Sequence, residues 1–222
     1  MKMRVIFLGV GEACDETLPN NSHILISKTK LLLDCGYSIP QQLWKYNPDP
    51  DFLDAIYISH PHADHYFGLP AYLIRLNQDG RKKAMAIICS KELIVKIKSL
   101  LECGYKGSAA KYNYKISFLE AKKNKKIRLN ELVMEFAPTI HPVNNLAVKI
   151  ANGKKALCYS GDGMFVDSTE RMYRNADLVI HEAFKFDQVH EGHAIITDLA
   201  EMAERANSDL LPALKCGASG KV

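Results

Sequence analysis

The feature that most constrains this chain is a short apolar strand that runs directly into a cluster of metal-ligating side chains. Residues 55–59 read AIYIS, which is typical of a buried β-strand, and residues 60–65 read HPHADH. A polar turn after a strand accounts for one histidine, whereas three histidines and an aspartate in six positions favour a metal site. Imidazole suits Zn²⁺, Fe and Mn, and a carboxylate adds a hard oxygen ligand. The stretch therefore predicts a fold in which strand ends converge on metal.

The spacing within this stretch indicates two groups of ligands. His60 and His62 lie two positions apart, so they would share one face of a strand. As the strand opens into a loop, both side chains could converge on one ion. Asp64 and His65 could then turn toward a second ion.

Two isolated residues at other predicted strand ends would complete such a site. His141 follows the strand-like segment VMEFAPTI, and Asp162 follows KALCYSG. Either residue alone would be unremarkable, because polar residues at strand ends usually cap turns. We predict that both reach the site because they supply the ligand types that HPHADH requires.

The remaining pattern alternates clusters of strands with helices. HILIS at 23–27 and KLLLD at 30–34 flank a tight turn and predict a hairpin, and Asn152-Gly153 predicts another between LAVKIA and KALCYS. Helices are predicted for IPQQLWKY, FGLPAYLIRLN, KELIVKIKSLLECG and TDLAEMAERAN. So many hairpins disfavour a doubly wound parallel sheet and favour two β-sheets between helix layers.

Size and composition fit one large domain spanning residues 1–222. The chain is 47% hydrophobic and 24% charged, and its net charge of +4 is compatible with an anionic substrate without requiring one. The apolar run from Val5 to Val10 is too short for a signal peptide. No stretch approaches about 18 apolar residues, so we expect no membrane span. Six scattered cysteines without a CxxC pair favour a reduced, cytoplasmic protein.

Taken together, the motifs resemble those of the metallo-β-lactamase superfamily, in its ribonuclease Z-like branch of phosphodiesterases. The matching segments occur in the family's order over nearly the whole chain: FLGVGEA, LLLDCG, SHPHADHYFGLP, TIH, YSGDG, HEAF and GHA. HEAF and GHA favour the phosphodiesterase branch over the lactamase and glyoxalase branches. The resemblance implies a four-layer αββα sandwich, an α/β fold, with a dinuclear site at one edge.

The resemblance also implies a ligand set for two metals. The first metal would be held by His60, His62 and His141, and the second by Asp64 and His65. Asp162 would bridge both metals. The implied cofactor is Zn²⁺, one or two ions, with Mn²⁺ or Fe as alternatives. A metal-activated hydroxide would attack phosphorus in line, and Asp64 counts among the catalytic residues as well as the ligands.

Proton transfer is assigned by the same resemblance. It implies that His193 of the GHA motif is the general acid for the leaving oxygen and that Glu182 of the HEAF motif orients it. A neighbouring carboxylate stabilises a protonated imidazole, which can then donate near neutral pH. The structural alternative for His193 is a loop histidine held by backbone groups. We expect His181 to lie behind the ligands and His190 at the surface.

The chain departs from the family where tRNA-processing members carry a protruding arm. Only twenty residues separate His141 from Asp162, and Asn152-Gly153 turns a tight hairpin between them. The arm is therefore absent, which favours a smaller phosphodiester over tRNA. The basic clusters at 81–83 and 122–126 could contact phosphates, but the sequence favours solvated loops for both.

A second departure concerns the last ligand of the second metal. Family members end on a strand that delivers a final histidine, but no histidine follows His193 here. Lys215 lies near the expected position, and a protonated lysine cannot ligate. Cys216 could offer a thiolate instead. We therefore expect the first site to bind metal more tightly than the second.

Three hypotheses about function follow. The leading one is a metal-dependent hydrolase of a phosphodiester, in RNA or a nucleotide. The second is a thioester, lactone or carboxylic-ester hydrolase on the same scaffold. The third is a metal-binding protein whose catalysis is impaired because the last ligand is missing. A homodimer is expected by family analogy only.

Overall fold

Two six-stranded β-sheets form the framework of the computed structural model, which describes residues 2–188 and 191–214. The first sheet consists of β1 (Arg4–Gly9), β2 (Ser22–Ile26), β3 (Lys30–Leu33), β4 (Ala55–Tyr57), β5 (Met85–Cys89) and β6 (Ile116–Glu120), in that order. The second sheet has the order β12 (Leu210–Leu214), β11 (Leu178–Ala183), β10 (Ala156–Tyr159), β9 (Leu146–Ala151), β8 (Leu132–Pro138) and β7 (Ile127–Leu129). The helices are α1 (Ile39–Tyr46), α2 (Ala63–Tyr66), α3 (Leu69–Gln78), α4 (Lys91–Gly104), α5 (Asp167–Tyr173) and α6 (Ile196–Ala206), with a 3₁₀ turn at Ala109–Lys111.

The sheets and helices enclose three apolar layers. Strand β4 shows the arrangement, because Ile56 packs in the layer that includes residues of α1, α3 and α4, whereas Ala55 and Tyr57 pack between the two sheets. The third layer lies between the second sheet and helices α5 and α6, and includes Tyr173 and Leu199. Because β4 is buried on both faces between β3 and β5, its sequence is apolar at every position.

Strand direction brings the chemistry-bearing loops to one edge of each sheet. Strands β3, β4 and β5 run parallel, so their carboxyl ends lie together. Strands β8 and β10 both pair antiparallel with β9, and β11 runs parallel to β10, so these three strands also end at one edge. The backbone N–H of Leu146 donates to the carbonyl of Ser59 at 3.2 Å and joins the two edges.

The expected sandwich of two sheets between helix layers is confirmed, and so are both predicted hairpins, β2–β3 and β9–β10. The prediction that the basic residues at 81–83 lie in a solvated loop or contact phosphates is wrong for Arg81. Arg81 is fully buried, and its guanidinium donates to the carbonyls of Leu53 and Ala84 at 2.8 and 3.0 Å, so it cannot contact a phosphate. In the described part of the chain no helix combines the length and apolarity that a membrane crossing needs.

Candidate metal centre

Asp34, which directly follows β3, is a buried residue whose carboxylate contacts several groups beneath the site. Its carboxylate accepts hydrogen bonds from the Ser59 N–H and hydroxyl, both at 2.7 Å, and from the Tyr159 hydroxyl at 2.7 Å. The Nδ1 atom of His65 lies 2.6 Å from the same carboxylate. Asp34 has a φ of 60°, a left-handed conformation that aspartate tolerates better than most residues. Four contacts from three separate segments therefore fix the floor of the site.

The first ligand cluster consists of four residues with one ligand atom each, all within 4.8 Å of one another: His60, His62, His141 and Asp162. The Nδ1 atom of His62 lies 3.2 Å from His60 Nε2 and 3.2 Å from His141 Nε2. Bonds of about 2.05 Å to a tetrahedral ion place two ligand atoms about 3.3 Å apart. The spacing of the three histidines therefore fits one ion between them.

The second cluster consists of Asp64, His65 and Asp162. His65 Nε2 lies 3.1 Å from Asp64 Oδ2 and 3.4 Å from Asp162 Oδ1. The other oxygen of Asp162, Oδ2, lies 3.8 Å from His60 Nε2 in the first cluster. Asp162 thus presents one oxygen to each cluster, as a bridging ligand would.

Partners outside the clusters fix the orientation of three imidazole rings. The hydroxyl of Ser59 gives its hydrogen to Asp34 and therefore accepts from His60 Nδ1 at 2.9 Å. Asp34 lies beside Nδ1 of His65, and the carbonyl of Gly192 lies 3.1 Å from Nδ1 of His141. With Nδ1 protonated, each ring turns an unprotonated Nε2 toward the clusters, as metal ligands require.

Burial also favours the neutral form of the ligands. Desolvation, followed by the neighbouring His141, holds the pKa of His62 below its ordinary value. Desolvation likewise lowers the pKa of His141, more than the Gly192 carbonyl and Asp162 raise it. Since only neutral imidazole binds a metal ion, both shifts prepare the first cluster for a cation.

A glycine turn sets the backbone that carries Asp162. Gly161 has a φ of +63°, and a Cβ at this position would lie 2.6 Å from the Cβ of Ser59. Asn145 stabilises the turn, because its amide donates to the Ser160 carbonyl at 2.8 Å and to the Thr139 hydroxyl at 2.7 Å. Only glycine fits this close approach between the two sheet edges.

His193 and Glu182 form a pair at the wall of the site. His193 Nδ1 lies 3.3 Å from Glu182 Oε1, which also accepts the backbone N–H groups of Gly163 at 2.9 Å and Ala194 at 3.1 Å. Glu182 is buried, and the imidazole rings of His193 and His141 lie 5.3 Å apart, edge to face. The pair therefore adjoins the first cluster without belonging to it.

A cavity of about 190 Å³ reaches residues of both clusters and His193 of this pair. Its lining residues are Glu12, Ala13, His62, Asp64, His141, Pro142, Asp162, Phe184 and His193. Three of these residues carry carboxylates. An anionic ligand would be repelled here unless cations neutralised the acids, so the electrostatics of the cavity fit bound divalent metal.

The structure brings all six sequence-predicted ligands into the two clusters and places His193 beside Glu182. His181 is fully buried behind Glu182 on β11 and takes no part in the cavity. Three residues named in the sequence analysis lie outside the described residues: His190, Lys215 and Cys216. Sequence reasoning missed the orienting role of Asp34, although an aspartate at the end of an apolar strand was a visible signal.

Comparison with known families and curated proteins gives a consistent result. The family model described as anti-Pycsar protein Apyc1 matches residues 3–211. A ribonuclease Z from Methanococcus aeolicus is 33% identical over 147 residues, which are 64% of this chain and 44% of that protein. Zinc phosphodiesterase ELAC protein 2 from Homo sapiens is 26% identical over 243 residues, 93% of this chain and 29% of that protein. The chain thus spans less than half the length of both relatives.

Solved structures agree on the fold. The metallo-β-lactamase fold protein YhfI from Bacillus subtilis superposes with a TM-score of 0.82 at 25% identity, covering 97% of this chain and 88% of that one. The short form of human tRNase Z gives a TM-score of 0.82 at 21% identity, covering 96% and 92%.

Proposed function

The chain belongs to the anti-Pycsar protein Apyc1 family, within the ribonuclease Z-like branch of the metallo-β-lactamase superfamily, and we propose that it is a metal-dependent phosphodiesterase. One observation carries the proposal. His193, which pairs with Glu182, lines the same cavity as residues of both ligand clusters, so a proton donor and a cation site face one bound substrate. Names of relatives, among them ribonuclease Z and zinc phosphodiesterase, support the same reaction class.

The proposed metal ligands are those of the two clusters. The first cluster would hold one ion and the second cluster another, with Asp162 shared between them. Three histidines and a carboxylate suit Zn²⁺, and Mn²⁺ or Fe are the alternatives. Bound metal would neutralise phosphate oxygens and lower the pKa of a water molecule toward about 7.

The chain's own residues would position and protonate the substrate. His193 would donate a proton to the leaving oxygen, because this histidine reaches the cavity while its Nδ1 faces Glu182. Glu182 would hold that ring in place, since two backbone N–H groups fix the same carboxylate oxygen that faces His193. Asp64 lines the cavity, contacts His65 and would take part in catalysis as a member of the second cluster.

The cavity favours a small phosphodiester, such as a cyclic nucleotide. Its volume of about 190 Å³ lies below the roughly 300–1,000 Å³ of most ligand pockets. The turn Asn152-Gly153 joins β9 directly to β10, so no arm for gripping a large RNA extends between them. A single-stranded RNA end is the second candidate, because the curated relatives include ribonucleases.

We also propose that the second cluster binds its ion more weakly than the first. The described residues supply the first cluster with four ligands and the second with three, one of which is shared. A metal-binding protein with impaired catalysis would follow if the second ion were lost altogether. Assembly into a homodimer is a proposal by family analogy, which light scattering would test. A single domain over residues 1–222 is a proposal from chain length and composition, and a cytoplasmic location is a proposal from the cysteine pattern, which fractionation would test.

A two-substrate assay tests the function. Wild-type protein is incubated with bis(p-nitrophenyl) phosphate or a nitrophenyl ester, with Zn²⁺ or Mn²⁺, beside Asp64→Ala and His193→Ala. Phosphodiester turnover that falls at least about 100-fold in both variants supports the proposal. Ester turnover alone would instead support a thioester, lactone or carboxylic-ester hydrolase. Bound metal without any turnover would support a metal-binding protein with impaired catalysis.

A further inference from the structure

Glu12 is an acidic residue that lines the cavity and belongs to neither ligand cluster. Glu12 is half-buried and lines the cavity together with Asp64, Asp162 and His193. Its side chain makes no hydrogen bond or ion pair with any other residue that the structure describes, whereas Glu182 is held by three donors. Glu12 therefore offers an unused acceptor to whatever enters the cavity.

The loop that carries Glu12 is held in place on both sides. The N–H of Gly11 donates to the carbonyl of Pro19 at 2.7 Å, and the Asp15 carboxylate accepts the N–H of Leu18 at 2.8 Å. The hydroxyl of Tyr37 donates to the carbonyl of Ala13, next to Glu12. These contacts hold the backbone that carries Glu12 beside the cavity before any ligand arrives, so only the side chain of Glu12 has to be ordered by a contact with a ligand.

The position of the phosphate determines what Glu12 can contact. In a nucleotide diester whose phosphorus lies at the ligand clusters, the sugar is the group next to the phosphate, and Glu12 lines the same cavity as those clusters. An ionised carboxylate is an acceptor only, so it needs a donor such as a hydroxyl group. It also repels any second negative charge.

We propose that Glu12 determines substrate specificity by accepting a hydrogen bond from the sugar hydroxyl adjacent to the scissile phosphate and by disfavouring ligands with a further phosphate charge. The inference rests on the proposed phosphodiesterase function and adds to it a residue that distinguishes ribose from deoxyribose. A hydrogen bond to a charged group accounts for a preference of about 10- to 100-fold over the deoxy compound.

The test compares 3′,5′-cyclic AMP with its 2′-deoxy analogue, by kcat/KM, in wild type, Glu12→Ala and Glu12→Gln. We expect the ribose preference of the wild type to fall below about 3-fold in Glu12→Ala and to be partly retained in Glu12→Gln, which keeps an acceptor. Glu16→Ala is the matched control, because Glu16 carries the same charge on the same loop, is exposed and does not line the cavity. It should keep the wild-type preference.

A binding measurement provides a readout that is independent of turnover. Calorimetry with adenosine 5′-monophosphate, a dianion, should show about tenfold tighter binding to Glu12→Gln than to wild type, and no change in Glu16→Ala.

Several outcomes would overturn the inference. They are a wild type without ribose preference, an unchanged preference in Glu12→Ala, and unchanged binding of the monophosphate in Glu12→Gln. A wild type that hydrolyses bis(p-nitrophenyl) phosphate but neither cyclic nucleotide would overturn it and leave the proposed function intact. Failure with every phosphodiester would reject the proposed function, and the calorimetric result would still decide the role of Glu12.

Discussion

Acidification from pH 8 to pH 5 should destabilise the folded protein through His23, a histidine of β2 that lies between the sheets. His23 is 0% exposed, and its ring packs against Phe7 at 4.4 Å and Tyr159 at 5.5 Å between centroids. Neither ring nitrogen has a hydrogen-bond partner among the described residues. Desolvation by burial lowers the pKa of His23 from 6.5 to about 3.

The sign and size of the effect follow from proton linkage. Above pH 6.5 the folded and unfolded chains both carry a neutral His23, so its contribution to stability does not change with pH. Below pH 6.5 the unfolded chain gains a proton that the folded chain does not, and stability falls by about 1.4 kcal/mol per pH unit until about pH 3. At pH 5 the loss amounts to about 2 kcal/mol, a large part of a typical total of about 5–15 kcal/mol.

Urea unfolding at pH 8 and pH 5 measures this loss, in wild type and in His23→Gln. Trp44 is the single tryptophan and reports on α1, so its fluorescence follows the transition. A chelator in all samples removes the contribution of metal release at low pH. Glutamine is similar in size and does not titrate, so the loss between the two pH values should be about 2 kcal/mol smaller in the variant. The other histidines titrate in both proteins and cancel in the difference.

An equal loss in wild type and His23→Gln would refute the argument. It would mean that the folded protein binds a proton at His23 as readily as the unfolded chain does. A variant that is less stable at both pH values by the same amount would lead to the same conclusion, because only the pH-dependent part reports on the burial of the imidazole.

Three further predictions concern the metal centre. Freshly purified protein should retain about one tightly bound ion per chain, and elemental analysis that finds two would disprove the weaker second site. Asp34→Asn keeps a residue that tolerates the left-handed backbone but removes the charge beside His65, and competition with a chelator should show metal affinity lower by about 10- to 100-fold. Gly161→Ala should cost about 1–3 kcal/mol more in urea unfolding than Gly153→Ala, because both glycines have positive φ but only at 161 would the new Cβ clash, with Ser59 among others. Equal costs for the two glycines would contradict this account of the turn.

The sequence by itself determined the fold class and indicated which residues form the two clusters. The four-layer sandwich and the ribonuclease Z-like branch are confirmed, because hairpin signals and motif order are local features that can be read along the chain. Four of the six proposed ligands stand within HPHADH, where one strand end delivers them together. His141 and Asp162 were also predictable, since each follows a strand whose carboxyl end reaches the same edge.

Only the tertiary structure decided which groups surround those ligands. Asp34 meets Tyr159 across 125 positions of sequence, and no local pattern could pair them. The same holds for His23, because the pattern of one strand does not show which face of the sheet its side chain occupies. It also holds for Arg81, which its basic neighbours in sequence predicted to be at the surface. Residue type and spacing state what a side chain can bind. Its burial and its partners depend on how distant segments pack, and that packing is a property of the whole chain.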